Sequence, residues 1–286
     1  MVYDIKFCCL IGDPIEHTVS PMIHNTAFQK LGLNYMYLAF KVKKDMLKKA
    51  IDGVKALNIR GLNVTIPHKI EVIKYLDEVD ETAKKIGAVN TIVNNDGILK
   101  GYNTDGKGAL MAIKESGLDL KDKIVVIVGA GGAARAISYY VALEKPGKII
   151  ILNRTLERAR KLAKDLIKET KVCCETRILE AAQVRESLSD ANLLINCTPV
   201  GMHPNVEETP VPKDCLRKNM TVMDIVYNPL KTELLKNALE IGCKIINGLD
   251  MLVNQAALSF KIWTGMDAPL EIMKKVAFEA LGETGS

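Results

Sequence analysis

Residues 123–137 read KIVVIVGAGGAARAI, an apolar run that stops at a glycine-rich turn and resumes as a helical pattern. Ile124 to Val128 contains no polar residue, which suits a strand covered on both faces in a parallel sheet. Gly129 permits the tight turn, and Gly131 lets backbone N–H groups approach a pyrophosphate. A helix starting at once directs its positive end toward that anion. Ala134 stands where a third glycine often stands, a tolerated variant. Gly-x-Gly alone is a weak signal, and its place between a buried strand and a helix is what gives it weight. The reading assigns Gly129, Ala130, Gly131, Gly132 and Ala133 to a dinucleotide, with a tight structural turn or an S-adenosylmethionine site as the alternatives.

The end of the next strand, Lys148 to Leu152, bears on which nucleotide. An NAD site wants Asp or Glu there, about 20 residues on, for the ribose 2′-hydroxyl. This chain has Asn153, Arg154 and Thr155, with Arg158 one helical turn later. Two guanidinium groups with amide and hydroxyl donors suit a 2′-phosphate, so the expected cofactor is NADP. The competing reading makes Asn153 or Thr155 a helix N-cap followed by solvated arginines.

Outward from this motif, short apolar runs alternate with helical-period segments. Strands are expected near residues 7–11, 35–42, 59–66, 88–93, 124–128, 148–152, 193–197, 221–225 and 244–246, and Asn95-Asp96-Gly97 marks a hairpin turn. Ser20-Pro21 opens a helix that stops at Gly32, and two helical patterns, 250–264 and 270–281, follow the last strand. The alternation predicts two α/β units with parallel sheets and right-handed crossovers, the second beginning near Asp105.

Composition narrows the function. The chain has 286 residues, 48% hydrophobic and 26% charged, which is ordinary for globular proteins. Its net charge of +5 is spread along the chain without a basic block, so no nucleic-acid partner is expected. The first residues carry an apolar run too short for a signal peptide, and Arg135 interrupts the longest apolar stretch, so no membrane partner is expected. Seven cysteines without Cys-x-x-Cys read as reduced, buried thiols of a cytoplasmic protein. Four histidines without His-x-x-x-His predict no metal site. His17 and His24 read as structural hydrogen-bonders, and Phe260 and Trp263 as core.

Polar clusters follow several strands: 12–21 (GDPIEHTVSP), 61–69 (GLNVTIPHK), 87–91 (GAVNT) and 101–106 (GYNTDG). Strand C-termini are where open α/β sheets bind ligands, and these hydroxyls, amides, Lys69 and Asp105 suit a polyhydroxylated acid. Residue by residue, Ser20 and Asp105 also read as N-caps, and Lys69 as a surface lysine.

Taken together and in order, these clusters resemble shikimate dehydrogenase. The matching motifs are Pro-Ile-x-His-Thr-x-Ser-Pro, Asn-Val-Thr-x-Pro-x-Lys, Gly-Ala-x-Asn-Thr, Asn-Thr-Asp, Gly-Ala-Gly-Gly-Ala, Asn-Arg-Thr and Gly-x-x-Met-Leu-x-x-Gln-Ala, across residues 11–256. The resemblance implies NADPH-dependent reversible reduction of 3-dehydroshikimate to shikimate, in chorismate and aromatic amino acid biosynthesis. It implies a substrate domain of residues 1–104, to which 250–286 return, and a Rossmann domain of 105–249. By position it places Thr18 and Ser20 on the substrate carboxylate, and Thr65, Asn90 and Gln255 on ring hydroxyls. Tyr227 lines the same cleft. Lys69 is the acid/base, with Asp105 orienting it and binding substrate. Thr198, Val200, Ile225, Gly248 and Met251 fall near the nicotinamide. Thr18 departs from the usual serine, which leaves quinate as a second substrate. A non-catalytic NADPH sensor and a methyltransferase are the rivals of other classes, and a homodimer is the assembly left open.

Overall fold

The apolar run near the N-terminus is paired on both sides: β1 (Lys6–Gly12) lies between β2 (Tyr35–Lys41) and β3 (Gly61–Val64), parallel to each. In the computed structural model, which describes residues 5–16 and 18–282, these strands belong to a first unit made of residues 5–105 and 253–282. Residues 106–252 make the second.

The first unit also contains α1 (Ser20–Lys30), α2 (Leu47–Ala56), β4 (Glu78–Val79), α3 (Glu81–Ile86), β5 (Thr91–Asn95) and β6 (Ile98–Tyr102). Its sheet runs β2-β1-β3-β5-β6-β4. It is mixed, not parallel throughout as the alternation predicted, because β5 is antiparallel to both β3 and β6. The reason is local: Asp96 (φ 51) and Gly97 (φ 90) close a two-residue hairpin, which can only join antiparallel strands. One sheet face packs Leu62, Val64, Ile92 and Leu99 with Leu47, Ile51 and Val54 of α2.

An aromatic cluster of Phe28, Tyr35, Tyr37, Phe260 and Trp263 also packs in this unit. The Trp263 indole N–H donates to the Ile92 carbonyl at 2.9 Å. Gly61 makes room for that ring, since a Cβ there would sit 2.7 Å from it. His24 lies in the same cluster, stacked on Tyr37 with centroids 4.4 Å apart. It is not the hydrogen-bonder the sequence suggested: it is fully buried, and neither ring nitrogen has a partner among the described residues. Burial holds its pKa down at about 3, so it packs as a neutral ring. His17 lies outside the described residues.

The second unit begins within α4 (Asp105–Glu115) and continues through β7 (Ile124–Val128), α5 (Gly132–Leu143), β8 (Lys148–Asn153), α6 (Leu156–Thr170), β9 (Cys174–Ile178), α7 (Ala181–Leu188), β10 (Leu193–Asn196), β11 (Thr221–Asp224), α8 (Glu233–Ile241) and β12 (Lys244–Ile246). The strand order is β12-β11-β10-β7-β8-β9, and every pair is parallel. This is a doubly wound Rossmann sheet whose order reverses between β7 and β10, the place where such sheets bind nucleotides. Val126, Val128, Ile150, Leu152, Leu194 and Val222 form its core with Leu188, Leu234 and Leu235 from the helices. The edge strand β9, half-buried along its length and reading Cys-Glu-Thr-Arg-Ile, has no apolar run to announce it. The chain then passes through α9 (Gly248–Thr264), whose later turns belong to the first unit, to α10 (Leu270–Gly282).

All seven cysteines are free; Cys8, Cys9, Cys215 and Cys243 are buried, whereas Cys173 is exposed, against the expectation of buried thiols. No helix among the described residues is long and apolar enough to cross a membrane.

Candidate active site

In the first unit Lys69, Asn90, Asp105 and Gln255 are brought together from four segments. Lys69 Nζ lies 2.7 Å from Asp105 Oδ2, with the side chains 16% and 5% exposed. Lys69 is therefore not the solvated surface lysine of the alternative reading. Asp105 begins α4, and its carboxylate does not serve as an N-cap: Oδ1 accepts from Asn90 Nδ2 at 2.9 Å while Oδ2 takes Lys69. Asn90 Nδ2 also reaches Gln255 Oε1 at 3.2 Å.

The Asn90 amide has one orientation. Its Oδ1 accepts the Thr104 backbone N–H at 2.8 Å, and a backbone N–H can only donate. The NH2 group must then face Asp105. Behind it, Thr91 Oγ1 and Ser259 Oγ are 2.7 Å apart, and Asn63 Nδ2 donates to both at 3.2 Å. Asn63 Oδ1 accepts the Tyr37 hydroxyl at 2.7 Å. Thr91, Thr104, Asn63 and Ser259 were assigned no role from sequence. Thr91, Thr104 and Asn63 lie inside the polar clusters already quoted, and Ser259 stands one helical turn after Gln255, so spacing was the available signal.

Lys69 is held by the turn before it. The His68 ring lies 2.7 Å from the Val42 carbonyl through Nε2, and Thr65 O accepts the His68 N–H at 2.9 Å. Thr65 follows β3, with its hydroxyl unpaired among the described residues. Thr18 and Ser20 are also adjacent, Thr18 Oγ1 donating to Ser20 Oγ at 3.2 Å. Ser20 does not cap α1: the cap position is Val19, which makes no side-chain cap bond, while the Ser20 N–H donates to Thr18 Oγ1 at 3.3 Å.

In the second unit the turn after β7 is built as the glycine pattern requires. Gly129 has φ 112, and a Cβ on it would sit 3.1 Å from the Cys197 carbonyl, so the fold itself demands glycine. Gly131 is different: an added Cβ would meet nothing within 4 Å, and it stands at the N-cap of α5 without a side-chain cap. No packing among the described residues explains that glycine, whereas a close anion at the helix end does. Ala130, Gly132 and Ala133 complete the turn, each half-buried.

After β8, Asn153 Nδ2 donates to the Thr155 carbonyl at 2.8 Å, and Thr155, at the cap of α6, makes no side-chain cap bond. The N-cap alternative is therefore not realised. Arg154 and Arg158 are exposed and engage no partner among the described residues, while the first-turn acid Glu157 pairs with Arg160 at 2.6 Å. Two unengaged guanidinium groups beside a glycine turn fit a phosphorylated ribose.

Thr198 and Val200 follow β10, and Ile225 and Tyr227 follow β11. Gly248 and Met251 open α9, whose N-terminus is capped by Asn247 Oδ1 accepting from Leu249 and Asp250 N–H at 3.0 and 3.2 Å. Tyr227 lies in the second unit, whereas the other residues read as substrate contacts lie in the first.

Three family models match the chain. They are the shikimate dehydrogenase substrate binding domain (residues 10–92), shikimate / quinate 5-dehydrogenase (111–230) and the shikimate 5'-dehydrogenase C-terminal domain (248–278). The shikimate dehydrogenase (NADP(+)) of Methanocaldococcus jannaschii is 50% identical over 277 residues, 96% of this chain and 97% of that one. The chain belongs to the shikimate dehydrogenase family. A solved family member in complex with NADP+ superposes with a TM-score of 0.90 at 48% identity, covering 97% of this chain and 96% of that one. The Listeria monocytogenes member, solved with shikimate and NAD, gives 0.87 at 42% identity over 96% of each chain. The glycine turn and Lys69 fall within residues that the family models match, and Asp105 lies between two of them.

Proposed function

We propose that this protein is an NADP-dependent shikimate dehydrogenase, reversibly reducing the 3-keto group of 3-dehydroshikimate to the hydroxyl of shikimate in aromatic amino acid biosynthesis. The observation that carries the reading is the largely buried Lys69–Asp105 pair at 2.7 Å, anchored by Asn90. A lysine drawn out of solvent onto one carboxylate oxygen, with the other oxygen held by a fixed amide, is an aimed proton donor. A sensor that only bound nucleotide would have no use for it.

NADPH, when bound, supplies the hydride. The turn Gly129–Ala133 and the α5 N-terminus would hold its pyrophosphate, and Asn153, Arg154, Thr155 and Arg158 its 2′-phosphate. Thr198, Val200, Ile225, Gly248 and Met251 would line the nicotinamide. Thr18 and Ser20 hydroxyls bind the substrate carboxylate, and Thr65, Asn90 and Gln255 bind ring hydroxyls, with Tyr227 a further contact. As the keto carbon gains hydride, its oxygen gains negative charge, and Lys69 passes it a proton from Nζ. The C=O bond thus becomes CH–OH, and Lys69 is left neutral. Its 16% exposure lets it recover a proton from solvent. In the oxidative direction the neutral amine accepts the hydroxyl proton. Asp105 orients Nζ and the reacting hydroxyl throughout. The free cysteines suit a cytoplasmic enzyme, and sedimentation would tell a monomer from a homodimer.

The test is absorbance of the reduced nicotinamide with shikimate and NADP, against quinate and NAD controls. Wild type should turn over shikimate with NADP fastest. Lys69→Ala should lower kcat by two to four orders of magnitude, roughly the contribution of general acid–base catalysis, with KM within a fewfold. A Lys69→Ala enzyme with near-normal kcat would reduce Lys69 to a binding group.

A further inference from the structure

Two strand ends and one helix start of the second unit are tied to one buried carboxylate. Asp224 closes β11 and is fully buried. Its Oδ1 accepts the Val226 N–H at 3.0 Å and Asn196 Nδ2–H at 2.9 Å, and its Oδ2 accepts the Thr232 hydroxyl at 2.7 Å. No cation pairs with it among the described residues. An unpaired buried carboxylate is a costly way to close a strand, and burial pushes its pKa up to about 6 against the three hydrogen bonds.

Each donor belongs to a different loop or helix start. Asn196 is the ladder partner of Asp224 at the end of β10. Its Oδ1 accepts the Thr198 N–H at 3.0 Å and the Thr198 hydroxyl at 2.7 Å, so its NH2 must face Asp224. The loop bearing Thr198 and Val200 is thus fastened to Asp224 through one amide. Val226 N–H fastens the loop bearing Ile225. Thr232 spends its hydrogen on Asp224 while accepting the Leu235 N–H at 3.4 Å, which ties the start of α8 to the same group. The start of α9 rests on this arrangement: a Cβ on Gly248 would lie 2.6 Å from the carbonyls of Ile225 and Val226. The segments so gathered carry all five positions assigned above to the nicotinamide.

We propose that Asp224, through Asn196 and Thr232, is the positioning group for the nicotinamide half of the cofactor site, acting on cofactor affinity without touching the cofactor. The proposal rests on the NADP reading above, and predicts that loosening this carboxylate weakens the nicotinamide end while sparing the adenosine end.

The experiment measures binding of two probes, NADPH and 2′,5′-ADP, to the full-length protein by calorimetry, with melting temperature as a fold control. Thr232→Val keeps the side-chain shape and removes the hydroxyl; its NADPH Kd should rise about tenfold while its 2′,5′-ADP Kd stays at wild type, a loss on the scale of one hydrogen bond to a charged group. Thr232→Ser should restore NADPH binding. Should the valine variant not fold, Thr232→Ala carries the same expectation. Unchanged NADPH affinity with a lowered melting temperature would make the network purely structural and overturn the proposal. Equal weakening of both probes would also overturn it. Wild-type protein that bound neither probe would sink the NADP reading itself, a distinct result.

Discussion

His24→Phe should make the protein markedly less sensitive to acid. The imidazole is fully buried against Tyr37 and Trp263, with no partner for either nitrogen among the described residues. Its pKa falls from 6.5 to about 3 on burial. Below pH 6.5 the unfolded chain gains a proton there and the folded chain does not. The depressed pKa therefore leaves full stability above about 6.5 and removes it as pH falls toward 3. Each pH unit is about 1.4 kcal/mol, so a drop from pH 7 to pH 5 costs about 2 kcal/mol from this residue. A phenyl ring has no proton to gain and keeps the stacking. Its greater bulk costs about 1–3 kcal/mol where the cluster is tight, but equally at both pH values. The assay is urea unfolding followed by far-UV circular dichroism at pH 7 and pH 5, wild type and variant side by side. The gap between the two should shift by about 2 kcal/mol in favour of the variant on acidification. Parallel losses of stability would refute the reasoning, because His24 would then already be protonated or hydrated in the folded protein.

Arg154→Ala should weaken NADP binding about ten- to a hundredfold, leave NAD binding unchanged and leave the melting temperature unmoved, since the side chain is exposed and makes no bond to the described residues; calorimetry with both nucleotides checks it. Gly131→Ala should fold as well as wild type, because its Cβ meets open space, yet bind NADPH less tightly. Gly129→Ala should lower the melting temperature itself, being strained at φ 112 and set against the Cys197 carbonyl. If the two glycine variants were alike in both melting and binding, the separation of fold from ligand at this turn would be wrong.

Much of this molecule was legible in its residues taken in order. The run from Lys123 to Ile137 announces strand, turn and helix because each is a local event: an apolar stretch, a glycine with positive φ, a helix start. Arg154 and Arg158 suggest a phosphorylated ribose from their place at a strand end, a reading that needs no distant neighbour to be made. The motif series carried the family. Other features depended on residues far apart in the chain. The hairpin at Asp96-Gly97 was legible and makes β5 and β6 antiparallel, but that β5 also lies antiparallel to the distant β3 was not. His24 lost its expected hydrogen bonds because Tyr37 and Trp263, distant in sequence, close over it. Lys69, Asp105 and Ser20 each had an ordinary local reading as surface lysine or helix cap, and only packing made those readings fail. A carboxylate chooses between capping and ion pairing by which donors lie within 3 Å, and that distance belongs to the fold. Asp224 shows the same division: in the sequence it is one acid among 34, and in the structure it is where the ends of β10 and β11 and the start of α8 are fastened together.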